Sequence, residues 1–254
     1  MEAYLRRIKH VGDLRPTEAT LRALHRAHLF TVPFENLDIG LGRKIICDAA
    51  RILDKIVNQH RGGFCYELNG AFAALLGVLG FRVTLLSARV AHEDSGYGPE
   101  FDHLTLRVDL EEPWLADVGF GEGFLDPLRL HSRMEQPQNG RVYRLTTFPS
   151  RDGELDLESL VEGKWKRQYA FTLQPRELSE FAGMCHYHQT SPESHFTRQR
   201  ICSLATPEGR VTLSDLKLIE TRGSARRERL LAGEEDWRAT LREQFGVGLP
   251  ERGL

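Results

Sequence analysis

The alternation of apolar and polar positions changes character twice along the chain. After Pro16, Leu21, Leu24 and His28 recur at helical spacing, which predicts a first helix. Its histidines, His25 and His28, read as its exposed side. Asp48 suits an N-cap for a second helix with Ile52, Leu53, Ile56 and Val57 on one face, stopped by Gly62 or Gly63. A third begins near Phe64. Leu68, Phe72, Leu75, Leu76 and Leu79 form its apolar stripe, and Gly80 ends it.

From about residue 85 to 185 the period shortens to two. HLTLRVDL at 103–110 alternates cleanly, with Leu104, Leu106, Val108 and Leu110 on one face. VTLLSARV at 83–90, PWLADVGF at 113–120, RVYRLTTF at 141–148, ELDLESLV at 154–161 and KWKRQYAF at 164–171 continue the series, with Glu162-Gly163 as a hairpin turn. This middle part reads as a β-barrel or sandwich. ICSLAT and RVTLSDLKLIE follow, joined through Pro207-Glu208-Gly209. A last helix carries Trp237, Leu241 and Phe245 and is capped by Gly246. The fold class is therefore α+β. There is no repeat or low-complexity linker, so the parts are expected to pack together.

Composition narrows the function. The chain has 254 residues, 41% of them apolar and 28% charged, enough to bury a sizeable core without staples. A net charge of −2 advertises no nucleic-acid or anionic-membrane surface. No apolar run is long enough to span a bilayer. The opening MEAYLRRIKHVGDL has neither an apolar core nor a cleavage site of a signal peptide, so a cytoplasmic protein is expected. Four irregularly spaced cysteines, Cys47, Cys65, Cys185 and Cys202, then read as reduced thiols.

One of those thiols sits where chemistry is favoured. In RGGFCYELNG at 61–70, Cys65 falls in the first turn of the third helix, where unpaired N–H groups and the helix dipole favour a thiolate. Gly62 and Gly63 leave an approach for substrate, and Arg61 adds a nearby positive charge. A lone buried cysteine is the bland alternative. Partners argue against it. A nucleophilic cysteine needs a base, and the base an orienting group. His103 opens its strand with the parity opposite to Leu104 and Leu106. Asp117 is a charge between Ala116 and Val118 in the next strand. Adjacent antiparallel strands would bring the two side by side.

Those residues carry a family resemblance. VPFENLDI at 32–39, RGGFCYELN at 61–69, DHLTLRV at 102–108, WLADVGFGEGFLDPLRL at 114–130 and HQTSPESHFTRQRICSLATPEGRVTLS at 188–214 occur in one order. In this the chain resembles the bacterial-type arylamine N-acetyltransferases. The resemblance implies a helical bundle over 1–82, a β-barrel over 83–188, and a linker with an α/β lid over 189–254. The triad arrangement is of the papain or transglutaminase kind. It implies Cys65 as the acetyl-accepting nucleophile, His103 as base and Asp117 as the triad acid, with Glu35 and Arg61 supporting the thiol's surroundings. Phe34, Phe120 and Phe196 match acceptor-pocket positions. Gly121, Glu122 and Gly123, in the GFGEGF loop, match the segment that approaches coenzyme A.

The implied reaction takes an acetyl group from acetyl-CoA, a co-substrate and not a tightly bound cofactor, to an arylamine, hydrazine or arylhydroxylamine. It runs ping-pong through an acetyl-cysteine. A papain- or transglutaminase-like thiol hydrolase would share the triad but has no reason to carry PFENL and the FGEGF loop. An inert binding protein would need a disrupted triad. A homo-oligomer is left open, and neither a nucleic-acid nor a membrane partner is expected. GFGEGF lacks the Rossmann spacing, and Pro127 follows where a helix should run. Cys185, His186, His188, His195 and Cys202 fit no standard zinc spacing, so no metal is expected. RGSARRER reads as a solvated loop and GEED as a charged helix start.

Overall fold

The computed structural model describes residues 1–92, 96–147 and 153–250. The three expected long N-terminal helices are present. Thr17 caps Glu18–Leu29 by accepting the Thr20 N–H, and Asp48 caps Ala49–Leu53 by accepting the Arg51 N–H at 3.0 Å. The second helix runs on as a π-turn, Asp54–Asn58. The third spans Cys65–Val78, with Gly80 at φ +89 just beyond it.

The middle of the chain forms an antiparallel sheet that curls almost into a barrel. Its strands lie in the spatial order Leu128–Arg129, Pro113–Ala116, His103–Asp109, Arg82–His92, Lys164–Arg176, Glu154–Val161, Arg141–Thr147, Gln136–Gln138. A short strand, Gly96–Tyr97, pairs with Arg82–His92 beside this path. The two outermost strands of the path meet through a side chain. Gln136 accepts the Arg129 N–H at 2.8 Å and donates to the Arg129 carbonyl at 3.2 Å, which caps edges that would otherwise be open. Glu162 and Gly163 both take positive φ, as a type I′ hairpin requires. Phe148, at the end of the expected RVYRLTTF strand, lies outside the described residues.

A second antiparallel sheet is built largely from the C-terminal part. Phe34–Glu35, Ile201–Thr206, Gly209–Ser214, Lys217–Arg222 and Ala225–Leu230 follow one another across it. RVTLSDLKLIE is thus two strands and not one, because Asp215 turns at φ +48. RGSARRER is not a loop. Ala225–Leu230 within and beyond it is a fully exposed edge strand, rich in arginine. The helix Glu234–Phe245 packs Trp237, Leu241 and Phe245 on this sheet and ends at Gly246, φ +65.

Three apolar cores hold these parts together. The largest joins helices to one face of the large sheet, with Phe64, Leu68, Phe72 and Leu76 against Leu104, Leu106 and Val108. The barrel interior holds Leu86, Leu115, Leu157, Tyr169 and Phe171. His25 and His28 are wholly buried, contrary to their expected exposure. His28 Nδ1 meets the Tyr4 hydroxyl at 2.9 Å, and the His25 and His28 rings pack edge-on against Phe72. No described helix is long and apolar enough to cross a membrane.

Candidate active site

Cys65 opens its helix and is buried. Phe64 precedes it in extended conformation, and the Glu67 carboxylate accepts the Phe64 N–H at 3.2 Å. No hydrogen bond within the described residues takes the Cys65 N–H, so an unpaired donor sits at the sulfur's own residue. The Gly62–Gly63 pair does not open the approach for substrate that the sequence suggested. A Cβ on Gly62 would lie 1.9 Å from the Pro33 carbonyl oxygen, and one on Gly63 2.6 Å from Glu67. These glycines let the Phe34 strand and the helix start pack closely, with Gly63 bridged to Phe34. All four cysteines are free thiols.

His103 and Asp117 converge on that thiol. His103 Nε2 donates to Asp117 Oδ2 at 2.7 Å, both residues being buried. The Cys65 side chain is the ring's other neighbour; with Nε2 on Asp117, Nδ1 is the nitrogen left to face it. Burial works against an imidazolium here. The Asp117 charge and hydrogen bond, with the Cys65 contact, outweigh it and lift His103 to about 10. The ring is therefore charged through the neutral range.

Asp117 is held from every side. Its Oδ2 also accepts the Tyr169 hydroxyl at 2.9 Å, while Oδ1 accepts Asn69 Nδ2 at 2.9 Å and the Gly119 N–H at 3.0 Å. Although burial opposes ionisation, these donors and His103 keep its carboxyl below the usual range. The same bonds end the strand at Ala116, short of the expected Phe120. The Val118 N–H goes to Asn69 Oδ1 at 2.9 Å and that of Asp117 to His25 Nε2 at 3.1 Å, so neither continues a ladder.

The sulfur and imidazole face a cavity of about 620 Å³. Phe34, Phe120 and Phe196, the expected acceptor-pocket positions, line it together with Gly121 and Glu122 of the loop, whereas Gly123 does not. Phe120 stands edge-on to His103 at 5.1 Å, and Phe34 and Phe196 lie 6.1 Å apart. The wall thus combines aromatic faces with a thiol and an imidazole, a lining that suits a flat apolar molecule.

Comparison with known proteins decides the family. A model described as N-acetyltransferase matches residues 17–254. Arylamine N-acetyltransferase, pineal gland isozyme NAT-3, of Gallus gallus is 35% identical over 99% of this chain and 95% of its own length. The solved arylamine N-acetyltransferase of Salmonella typhimurium superposes with a TM-score of 0.92 at 31% identity, covering 99% of this chain and 92% of that one. That of Mycobacterium marinum in complex with CoA gives 0.89 at 31%, covering 97% and 92%. The chain belongs to the arylamine N-acetyltransferase family.

As an enzyme of that family it carries a buried ionic cluster beside the helix start that holds Cys65. Arg61 bonds Glu35 at 2.8 Å and Asp38 at 3.0 Å; Lys55 bonds Glu67 at 2.7 Å and Asp38 at 2.8 Å. Arg61 and Glu35, expected to support the thiol, therefore bond each other first, and Glu35 also accepts the Leu37 N–H at 2.8 Å. Burial, with the like charges of Glu35 and Asp38, pushes Glu67 up to about 7 against the pull of Lys55. Removing one cation strands a buried carboxylate. Arg61→Ala is expected to cost about 3–5 kcal/mol of stability, read as a lowered urea midpoint.

Several residues packed around Cys65, His103 and Asp117 were not singled out from the sequence. Asn69 and Tyr169 hold Asp117 directly. His25 donates from Nδ1 to the Leu125 carbonyl at 2.8 Å, which leaves Nε2 to accept the Asp117 N–H. Burial keeps it neutral, at about 4. Gly119 lies so close that a Cβ would stand 2.8 Å from Cys65 Cα. The cysteines and histidines of the 185–202 stretch are dispersed: Cys185 is buried beside Ile45, His188 faces the cavity and pairs with Asp102 at 3.1 Å, and Cys202 lies within the second sheet. Among the described residues no group of three such side chains could hold a metal.

Proposed function

We propose that this enzyme moves an acetyl group from acetyl-CoA to the nitrogen of an arylamine, hydrazine or arylhydroxylamine, through an acetyl-cysteine at Cys65. The observation that carries this is that His103, bonded to Asp117 at 2.7 Å, shares one aromatic cavity with the Cys65 thiol. The Mycobacterium marinum relative, solved in complex with CoA, supports the donor.

In the first half-reaction the Cys65 sulfur, its proton held by His103, attacks the thioester carbonyl. The developing oxyanion is met by the unpaired Cys65 N–H. The carbon–sulfur bond to coenzyme A breaks, and His103 returns the proton to the departing thiolate. In the second half-reaction a neutral amine attacks the acetyl-cysteine, His103 takes its proton, and the Cys65 sulfur leaves. Asp117 fixes the ring with its proton on Nε2 and stabilises the imidazolium. Aniline nitrogens are weakly basic and stay nucleophilic at neutral pH, which alkylammonium ions do not. The expected division at residues 82 and 188 fits this labour: the helical part presents the nucleophile, and the barrel presents the base and the acid.

Steady-state kinetics test the sequence of events. Varying acetyl-CoA at several fixed arylamine concentrations should give parallel double-reciprocal lines. Intersecting lines would mean that both substrates are bound before chemistry, and would sink the covalent route.

A further inference from the structure

One imidazole, outside the cavity, joins the two ends of the loop that begins at Asp117. His25 lies on the helix Glu18–Leu29 and is wholly buried. Its Nε2 accepts the Asp117 N–H at 3.1 Å, and its Nδ1 donates to the Leu125 carbonyl at 2.8 Å. Between these two residues, the segment 118–124 holds Gly119 against Cys65 and Phe120 edge-on to His103. Arg26, the next residue of the helix, grips the same far end by pairing with Asp126 at 2.5 Å.

The loop needs such a fastening. The sheet ends at Ala116, so no ladder holds the backbone at Asp117. One end of the loop offers an N–H and the other a carbonyl. A neutral imidazole has one acceptor and one donor on a rigid ring and answers both. An imidazolium would turn a donor toward the Asp117 N–H. Burial keeps the ring uncharged, and it is held between Phe72, edge-on at 5.8 Å, and Phe124, nearly parallel at 5.7 Å. His28, one turn further along, is equally buried, but its hydrogen bond goes to the Tyr4 hydroxyl and not to the loop.

We propose that His25 is a positioning residue: by closing the 117–125 loop it sets Asp117 against His103. The proposal rests on the reading of Asp117 as the group that orients His103. It gives the first helical part a share in the chemistry beyond presenting the thiol.

Three replacements in the full-length enzyme separate the two bonds. His25→Phe keeps the ring packing and removes both. His25→Gln puts an amide oxygen where Nε2 stands and keeps the Asp117 bond. His25→Asn puts an amide NH₂ where Nδ1 stands and keeps the Leu125 bond. His28→Phe is the control for loss of a buried histidine. Misplacing reacting groups by about 1 Å costs on the order of 10² in rate. In acetyl transfer to an arylamine, kcat should fall by about that factor in His25→Phe, stay low in His25→Asn and recover at least about tenfold in His25→Gln. His28→Phe should lower the Tm and leave kcat near wild type. Gln and Asn differ in which bond they keep, so their comparison stands even where His25→Phe does not fold. Equal kcat in His25→Gln and His25→Asn overturns the proposal, as does a His28→Phe as slow as His25→Phe. Proton NMR of the resting enzymes reads the geometry without any acetyl transfer. The low-field signal of the His103 Nε2–H on Asp117, assigned by its absence in His103→Gln, should shift in His25→Asn and keep its place in His25→Gln and His28→Phe. A signal unmoved in every His25 variant overturns the proposal. A signal that moves as expected supports it even if wild type transfers no acetyl group, an outcome that would count against the acetyl-transfer reading instead.

Discussion

Cys65→Ala is expected to abolish acetyl transfer and leave the fold intact. Loss of the nucleophile from a catalytic triad costs on the order of 10⁶ in turnover in the analogous serine system. None of the other three thiols lines the cavity. Cys185 and Cys202 are buried thiols whose pKa is raised, by the Cys47 contact and burial for the first and by burial for the second. Cys47 does not line the cavity. Alanine is a good helix former, so the first turn of Cys65–Val78 should survive. Replacing Cys47, Cys185 or Cys202 with Ser should leave the chemistry within reach of wild type. Product assays beside thermal unfolding check both halves. Normal transfer by Cys65→Ala, with loss on changing another cysteine, would contradict the assignment.

Asp117→Asn should lose about 10⁴ in turnover, the effect of the corresponding change in a Ser-His-Asp enzyme. The reason is visible in the hydrogen bonds. Asp117 accepts from four donors, two on each oxygen. An amide NH₂ group suits neither side. The Asn69 amide cannot turn, because its Oδ1 already accepts the Val118 N–H. The NH₂ group must therefore face Tyr169, whose hydroxyl can reverse, and His103 Nε2. A neutral His103 would then carry its proton on Nδ1, the nitrogen that faces Cys65, and could not take another. The variant should show a collapsed kcat with KM little changed. The reverse, a raised KM with unchanged kcat, would mark Asp117 as a substrate contact.

Much of this arrangement was legible because local patterns and global packing agree. The stripe Leu68, Phe72, Leu75, Leu76 predicts the helix that presents Cys65, and the alternation of HLTLRVDL predicts the strand that presents His103. What escaped depended on contacts between distant segments. His25 and His28 look polar in any single-helix reading, yet they lie under Phe72, bonded to Leu125 and Tyr4 from far along the chain. The strand ending at Ala116 reads longer from its apolar residues than it is, since Asn69 and His25 take the N–H groups that a ladder would need. The two-residue strand Phe34–Glu35 has no periodicity to detect. It exists because Ser203 and Cys202 offer it a partner. Gly62 and Gly63 were legible as special positions, but their reason, close backbone packing, appears only in three dimensions.

The central claim is that the acetyl group rests on Cys65 before any amine is needed. Intact-mass analysis after mixing the enzyme with acetyl-CoA alone tests it most directly. The account predicts one added acetyl group per chain, mapped to the Cys65 peptide, with one equivalent of coenzyme A released, and discharge to an N-acetyl product when an arylamine is added. An unmodified chain, with coenzyme A appearing only after the amine is present, would contradict it.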